Sequence, residues 1–268
     1  AIIIGKGALD SMDVVVAAYH GYNYLLAREN LTDHLEKNDK QGKIRQRLLK
    51  IRAKKVILAT GALERPLIFN NNDRPGIMLS SAIKKYADFY GVVSGKKNVF
   101  FTNNDSAYES ALCLHNKGIK VEAVIDIRES SNSKIVKAVE NVGIKIHWSH
   151  TIVDTKGYKR LNSISAMKLS NDGLSVTGNK IDISCDCLGV AGGWTPAVHL
   201  FTQSGGKLKF DENNKVFLPN KYPSDQLSVG SCNGDFNLNE IINNLSTNLK
   251  EFLKIDKTDF DNLSIEFE

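Results

Sequence analysis

No apolar run in this sequence approaches the roughly 20 residues that span a bilayer. Val56-Ile57-Leu58-Ala59 and Ile2-Ile3-Ile4 are far shorter, so no membrane association is expected. Proline is scarce, at 5 of 268 residues, and glycine ordinary at 20, while 42% of residues are hydrophobic; collagen-like, mucin-like and fully disordered chains are excluded. Cysteine is also scarce. The four thiols, Cys113, Cys185, Cys187 and Cys232, lie among apolar or small residues. The Cys185-x-Cys187 spacing is wrong for the usual zinc or redox pair, which reads as reduced structural thiols in a cytoplasmic protein. The six histidines show no spacing of the His-x-x-x-His kind, so no metal site is expected. No glycine-flanked serine or Ser/His/Asp order points to a hydrolase, and no basic segment precedes the short apolar start that would otherwise read as a secretory signal. The net charge of +5 arises from 35 basic against 30 acidic residues. Its densest stretch, Lys43 to Lys55, lacks the aromatics that a single-strand nucleic-acid binder interleaves, so nucleic acid is not an expected partner.

What is present is a length of 268 residues, enough for about two domains at roughly 150 residues each. Asp13 to Ala18 is β-branched and Tyr24 to Arg28 follows across a Gly21/Asn23 turn, a hairpin pattern. In the basic run, Leu49, Ile51 and Ala53 alternate with Lys50, Arg52 and Lys54, as a strand with one wet face requires. Val56 to Ala59 has no polar alternation and suits a strand buried on both faces. A loop dense in turn formers then carries Pro66, Asn70 to Asp73, Pro75 and Gly76. Ser80 or Ser81 can cap a helix running to about Tyr90, with Ile83, Tyr86, Ala87 and Tyr90 on one face.

Residues 97–127 form the clearest unit: a strand at Asn98–Phe101, a turn at Thr102–Asp105, a helix from Ser106 to Lys117 closed by Gly118, and a strand at Val121–Ile125 ending in Asp126. This is a βαβ unit, which implies a parallel pair with a right-handed crossover. A helix over Ser133–Asn141 and a strand over Ile144–Trp148 extend the alternation. Short strands from Thr151 to Asp182 read as a β-meander, Ile183 to Val190 as a buried strand, Gln226 to Gly230 as another, and Leu238 to Leu253 as a helix. The fold class is therefore α/β: a Rossmann-like, doubly wound parallel sheet with an inserted β-meander. Residues 1–95 and 150–255 are expected to form parts of one FAD/NAD(P)-binding domain with the meander, residues 96–149 a second, degenerate βαβ domain, and residues 256–268 a loose tail.

A dinucleotide site needs a strand, a glycine turn that lets backbone N–H groups approach the pyrophosphate, a helix N-terminus, and an acid some 20 residues on. The 97–127 unit has the strand, helix and acid, but Thr102 and Asn104 stand where glycines belong and Asp105 adds negative charge. It reads as a structural unit that no longer holds a dinucleotide tightly, its turn surviving because asparagine tolerates left-handed backbone angles. At the N-terminus, Gly5-Lys6-Gly7 follows a strand-like run, but Asp10 replaces the third glycine; a phosphate turn competes with a loop or unrelated leader. Thr60-Gly61-Ala62 ends a buried strand, where open α/β sheets bind ligands, and suits either such a site or an ordinary β-turn; Gly230 to Asp235 precedes the last helix, whose N-terminus either offers free N–H groups to a phosphate or nicotinamide or is simply capped. Trp194, beside two glycines, suits either a stacking role or a core aromatic. Arg65 and Arg74 stand at the presumed ligand edge, able to meet a phosphate, a partner or solvent. No catalytic acid or base can be named.

Several long segments together resemble one family. They are Asn30-Leu31-Thr32-Asp33-His34-Leu35, residues 53–67 (AKKVILATGALERPL), residues 71–78 (NNDRPGIM), residues 101–108 (FTNNDSAY) and residues 192–201 (GGWTPAVHLF). Over residues 14–250 the chain resembles the two-dinucleotide-binding flavoproteins, and within them the alpha subunits of heterotetrameric sarcosine oxidases. The resemblance implies an oxidoreductase complex that converts sarcosine, tetrahydrofolate and oxygen to glycine, 5,10-methylenetetrahydrofolate and hydrogen peroxide. It implies NAD on this chain, FAD and FMN on a beta-subunit partner, smaller partner subunits, and catalytic residues on another chain. The implied NAD contacts within this sequence are Thr60, Gly61, Ala62, Val229, Gly230, Phe236 and Leu238. The family's first glycine-rich turn and its folate domain have no convincing match, so the chain is expected to be the middle of a longer polypeptide. Two other readings stay open: a subunit of an FAD-dependent amine, opine or hydroxyproline dehydrogenase, and a non-catalytic assembly module with an empty site.

Overall fold

The computed structural model describes residues 2–5, 14–33, 35–223 and 225–254. The expected loose tail, 256–268, and most of the Gly5–Asp10 segment lie outside the described residues. Two compact units divide the chain, one from residues 1–63 and 195–268, the other from residues 64–194.

The first unit begins with β1 (Ile2–Gly5), the antiparallel strands β2 (Val14–His20), β3 (Tyr24–Asn30) and β4 (Gln46–Arg52), and then β5 (Val56–Ala59) and the start of β6 (Ala62–Glu64). The hairpin expected on either side of Gly21 is present as β2 and β3, paired from Val14/Glu29 to His20/Tyr24, and β4 extends it. Its turn is held from inside. Asn23, 3% exposed, accepts a hydrogen bond from the Tyr19 hydroxyl at 2.6 Å and donates to the Asp225 carbonyl at 3.0 Å.

The second unit contains β7 (Ile77–Leu79), α1 (Ser80–Phe89), β8 (Lys97–Thr102), α2 (Ser106–Asn116), β9 (Lys120–Asp126), α3 (Lys134–Asn141), β10 (Ile146–Trp148), β11 (His150–Lys156), β12 (Ser163–Leu169), β13 (Val176–Ser184) and β14 (Cys187–Ala191). The chain returns to the first unit through β15 (Trp194–Pro196), followed by α4 (His199–Gln203), the hairpin β16 (Lys207–Asp211) and β17 (Val216–Lys221), β18 (Gln226–Ser228) and α5 (Leu238–Leu253).

In the second unit, five parallel strands run in the order β10-β9-β8-β14-β7. Successive side chains of a strand point to opposite faces, and this sheet uses both. Phe100 and Val124 face a core with Ile83 of α1, Ala107, Ala111 and Leu114 of α2, and Val136 and Val139 of α3. Val99, Phe101 and Ile125 face Ile152, Ile164 and Ala166 of the antiparallel sheet β11-β12-β13. The meander is thus the second layer of this sheet. That is why the units part at Leu63/Glu64 and Trp194/Thr195, not at the 95/96 and 149/150 borders drawn from the sequence. The single strand expected over Ile183–Val190 is two: β13 ends at Ser184 and β14 begins at Cys187. Between them Asp186 turns its carboxylate to the Lys96 and Lys97 amides at 3.1 and 2.8 Å.

In the first unit, β1, β5 and β18 form a parallel sheet with β5 in the centre. Val56 and Leu58 pack with Tyr19, Leu25 and Phe201, while Ile57 packs with Val229 and Leu249 of α5. Each fully buried side chain of this size contributes roughly 1.5–3 kcal/mol. The unpatterned apolar run at 56–59 is the sequence mark of a strand covered on both faces.

Candidate functional site

Three parallel strands of the first unit end at one edge. β1 ends at Gly5, in register with Ala59, and β18 runs in register with β5 from Gln226/Val56 to Ser228/Leu58. The strand-like start of the Gly5-Lys6-Gly7 segment is therefore a true strand of this sheet, and residues 6–13 lie outside the described residues. Beyond the other two strands come Thr60-Gly61-Ala62 and Val229-Gly230. A 2.9 Å bond from the Val229 amide to the Leu58 carbonyl continues the pairing, and the Cys232 thiol lies 3.2 Å from the Leu58 and Val229 carbonyls.

Both glycines here are required by the backbone. Gly61 has φ +71° and Gly230 φ +70°, where an L side chain is strained. A Cβ on Gly61 would meet nothing within 4 Å, and one on Gly230 only Ile241 Cγ2 at 3.8 Å. The Cβ direction is thus open at Gly61 and meets only an ordinary contact at Gly230, so no side chain of its own keeps a ligand from the backbone there. The Thr60 hydroxyl is engaged within the protein, donating to the Ala197 carbonyl at 2.7 Å, while the Ala197 amide donates to Gly61 O at 2.9 Å. Past a short 3-10 turn at Gly230–Asn233, Asn237 caps α5, its side chain accepting the Asn239 amide at 2.9 Å. Phe236 and Leu238 are 39% and 51% exposed. Of the seven residues singled out as nucleotide contacts, Thr60, Gly61, Ala62, Val229 and Gly230 thus stand at the ends of two adjacent strands, with Phe236 and Leu238 at the start of the helix that follows.

The βαβ unit of the second body has the opposite character: its ligand turn is filled by its own side chains. Asn104 places its carboxamide oxygen on the Ser106 amide at 3.0 Å and the Ser106 hydroxyl at 2.6 Å, and its Nδ2 on the Ala191 carbonyl at 3.1 Å. Thr102 Oγ1 accepts the Asn104 amide at 3.0 Å. Neither asparagine has a left-handed backbone, contrary to the expectation. Side-chain hydrogen bonds, of the kind Asn makes readily to nearby backbone, replace the missing glycines.

Asp126, at the position of a ribose-binding acid, is 0% exposed. It accepts the Tyr108 hydroxyl at 2.8 Å, the Arg128 amide at 2.9 Å and the Arg128 guanidinium at 2.7 Å, and Arg128 also reaches Asp105 at 2.8 Å. Burial, with Asp126 beside it, pushes the Tyr108 hydroxyl up. Burial also works against the Arg128 charge, but the two carboxylates outweigh it and hold the guanidinium protonated. Burial works against the Asp105 carboxylate too, but its bonds to Arg128 and neighbouring serines outweigh it and hold the group below the usual range. Arg128 and Tyr108 escape a reading aimed at glycines and acids. The signal for them is Asp126-x-Arg128 closing a strand, with a tyrosine in the first turn of the preceding helix.

Arg74 is occupied structurally, donating to the Gly157 and Thr155 carbonyls and to the Thr155 hydroxyl. Arg65 runs alongside Gly193, where a Cβ would lie 3.0 Å from its Nη2. Trp194 is half-buried in β15. All four cysteines are free, and burial pushes the Cys185 and Cys187 thiols up to about 12. Among the described residues no helix is long and apolar enough to cross a membrane, and no cluster of three metal-ligating side chains occurs.

No protein-family model matches the chain. Curated relatives are the sarcosine oxidase subunit alpha of Corynebacterium sp. strain P-1, 38% identical over 216 residues, and that of Rhizobium meliloti strain 1021, 37% identical over 174 residues. The first alignment takes in 80% of this chain and 22% of the relative, the second 65% and 16%; the chain spans about a fifth of the length of the relatives it matches. Solved structures with the same fold include the L-proline dehydrogenase of P. horikoshii (TM-score 0.56, 20% identity, 82% of this chain and 36% of that one) and the thioredoxin reductase of T. acidophilum (TM-score 0.58, 15% identity, 93% and 73%). The chain is thus a relative of the sarcosine oxidase alpha subunits over four-fifths of its own length, built on the α/β fold of the FAD/NAD(P)-binding flavoproteins.

Proposed function

We propose that this chain is the nucleotide-binding core of a sarcosine oxidase alpha subunit, with NAD held at the edge formed by Thr60, Gly61, Ala62, Val229, Gly230, Phe236 and Leu238. The observation that carries the reading is the pair of left-handed glycines, Gly61 and Gly230, just beyond the ends of adjacent parallel strands, ahead of the start of α5. Backbone amides there other than that of Val229, which is bonded to Leu58 O, would donate to a pyrophosphate, and the N-terminus of α5, its Asn239 amide already capped by Asn237, favours its charge through the helix dipole. Phe236 and Leu238 supply apolar surface against the rest of the ligand. When bound, NAD supplies a ring that can accept hydride; the chain binds and orients it. The amine oxidation, and the acids or bases it uses, belong to a flavin-bearing beta subunit, and the assembly as a whole converts sarcosine, tetrahydrofolate and oxygen to glycine, methylenetetrahydrofolate and hydrogen peroxide. A second reading, an assembly module without nucleotide, is favoured by one observation: the other candidate turn is closed by Asn104 and by the Asp126–Arg128 pair.

The test is to denature the purified protein and identify any released nucleotide by mass and absorbance, with thermal unfolding in added NAD and FAD alongside. A ligand at a hundred times its Kd stabilises by about 2.7 kcal/mol, roughly a 5–10 °C rise in Tm for a protein of this size. NAD release, or a shift of that size with NAD, is expected, and Gly61→Val with Gly230→Val is expected to abolish it. FAD in its place would move the assignment to an FAD-dependent amine or opine dehydrogenase subunit. No release and no shift with either would leave the assembly module.

A further inference from the structure

The expected apolar face of α1 is only half used. Ile83 and Ala87 are buried in the core of the second unit, whereas Tyr86, Phe89 and Tyr90 are 43%, 76% and 57% exposed, and Val92 and Val93 just beyond are 49% and 53%. The side chains form one surface. Phe89 meets Tyr90 edge-on with ring centroids 4.9 Å apart, and Tyr86 lies 5.8 Å from Tyr90. A 2.9 Å bond from the Val92 amide to the Tyr86 carbonyl folds the valine segment back against the helix. With aromatic side chains of roughly 150–250 Å² each, the five expose roughly 500 Å². That lies in the upper part of the range for the largest apolar patch on a typical monomer, where such patches are commonly functional. A helix face serving only to meet water carries polar residues instead.

The surroundings are basic. Asp88 is held by Lys117 at 3.1 Å and Glu109 by Lys84 at 3.3 Å, so these acids are already neutralised. Lys85 stands over the Phe89 ring with its Nζ 6.0 Å from the centroid, and Lys96 follows the two valines. Among the described residues neither the Lys85 nor the Lys96 side chain forms an ion pair, although the Lys96 amide donates to the Asp186 carboxylate at 3.1 Å.

We propose that Tyr86, Phe89, Tyr90, Val92 and Val93 form a docking surface for a different subunit, one that presents an apolar face rimmed by carboxylates to Lys85 and Lys96. This rests on the reading of the chain as one subunit of a hetero-oligomeric oxidase. A second copy of the chain is a poorer occupant: a two-fold pairing sets this patch against itself, so that both rims carry Lys85 and Lys96, and like charges across an interface are penalised. The patch is smaller than the roughly 800 Å² each partner buries in a standard interface. It serves as the apolar centre, and the lysines as part of the charged rim.

The experiment titrates the whole chain with the separately purified flavin-bearing subunit of the same oxidase, followed by calorimetry and sedimentation velocity at 50 and 300 mM NaCl. Phe89→Ser with Tyr90→Ser is expected to weaken binding at least 30-fold. Lys85→Glu with Lys96→Glu is expected to weaken it mainly at 50 mM, because salt screens exposed charges. All four side chains are exposed, so both variants should keep the wild-type Tm and the nucleotide response of the first unit, which separates loss of docking from loss of fold. Equal binding by wild type and both variants overturns the docking surface and leaves the subunit reading standing. No binding by the wild type overturns both. A wild-type homodimer that the Phe89/Tyr90 variant dissolves assigns the face to a second copy and overturns the proposed occupant.

Discussion

Asp126 shows how one side chain can occupy the position of a ligand contact and be unavailable to a ligand. Its oxygens are taken by the Tyr108 hydroxyl and by the amide and guanidinium of Arg128. Removing Arg128 leaves a fully buried carboxylate without its counter-charge, a loss of about 3–5 kcal/mol; Arg128→Ala is expected to lower the urea midpoint accordingly, with the slope unchanged. Asp105, on the other side of Arg128, has its carboxyl held below the usual range. The sign follows: a depressed carboxyl contributes stability that is present above its unfolded value, near 3.8, and is lost as pH falls through the lower folded value. Asp105→Asn should therefore lower Tm at pH 7, with the difference from wild type shrinking as pH falls below 3.8, as scanning calorimetry over a pH series would show. The acid at the strand end and the glycine-poor turn were legible in residues 102–126. The occupation of the acid was not, because Arg128 is two residues beyond it and Tyr108 lies on another element.

At the scale of elements, α1 separates a local signal from the contact that replaced it. Ser80 and Ser81 look like cap residues, yet the residue before the helix is Leu79 and makes no side-chain cap. Glu64, across a 17-residue separation, accepts the Ser81 amide at 2.9 Å, placing a carboxylate on the helix N-terminus as the helix dipole favours. Burial pushes that carboxyl up, partly offset by Ser81. Glu64→Ala is expected to cost about 1 kcal/mol, the usual worth of a cap. Ser80→Ala should cost nothing or stabilise, since the Ser80 hydroxyl is buried without a hydrogen-bond partner and removing such a group relieves a desolvation penalty. Chemical denaturation of the two variants checks the contrast. The strand pair around Asp186 makes a second case. Cys185 and Cys187, pushed up to about 12 by burial, should not react with a thiol reagent at pH 8 in the native state, with Cys113 the first to react and all four reacting in denaturant.

The whole molecule is a chain that leaves one unit, completes another and returns. Residues 64–194 are contiguous, contain all five strands of the parallel sheet and both layers that cover it, and their ends meet: the Arg65 amide donates to Gly193 O at 2.8 Å. A contiguous segment with its own core and adjacent termini is a folding unit. Residues 64–194 expressed alone should give a dispersed amide spectrum and a cooperative thermal transition, whereas residues 1–63 alone should not, because β5 lacks β18 and the covering helix α5.

The sequence alone determined the element types: the βαβ alternation over 97–148, the meander and the buried strand at 56–59 follow from periodicity, glycine stops and apolar runs, all local quantities. It also marked Gly61 and Gly230 as positions where a chain turns at a strand end. Tertiary structure alone decided that these two turns lie side by side, since their strands are 170 residues apart in sequence and only sheet pairing joins them. It decided equally that the meander covers the second unit's sheet, and that Ile83 and Ala87 go inward while Tyr86, Phe89 and Tyr90 remain outside. Periodicity defines an apolar stripe on a helix; how much of that stripe is covered depends on the elements packed against it.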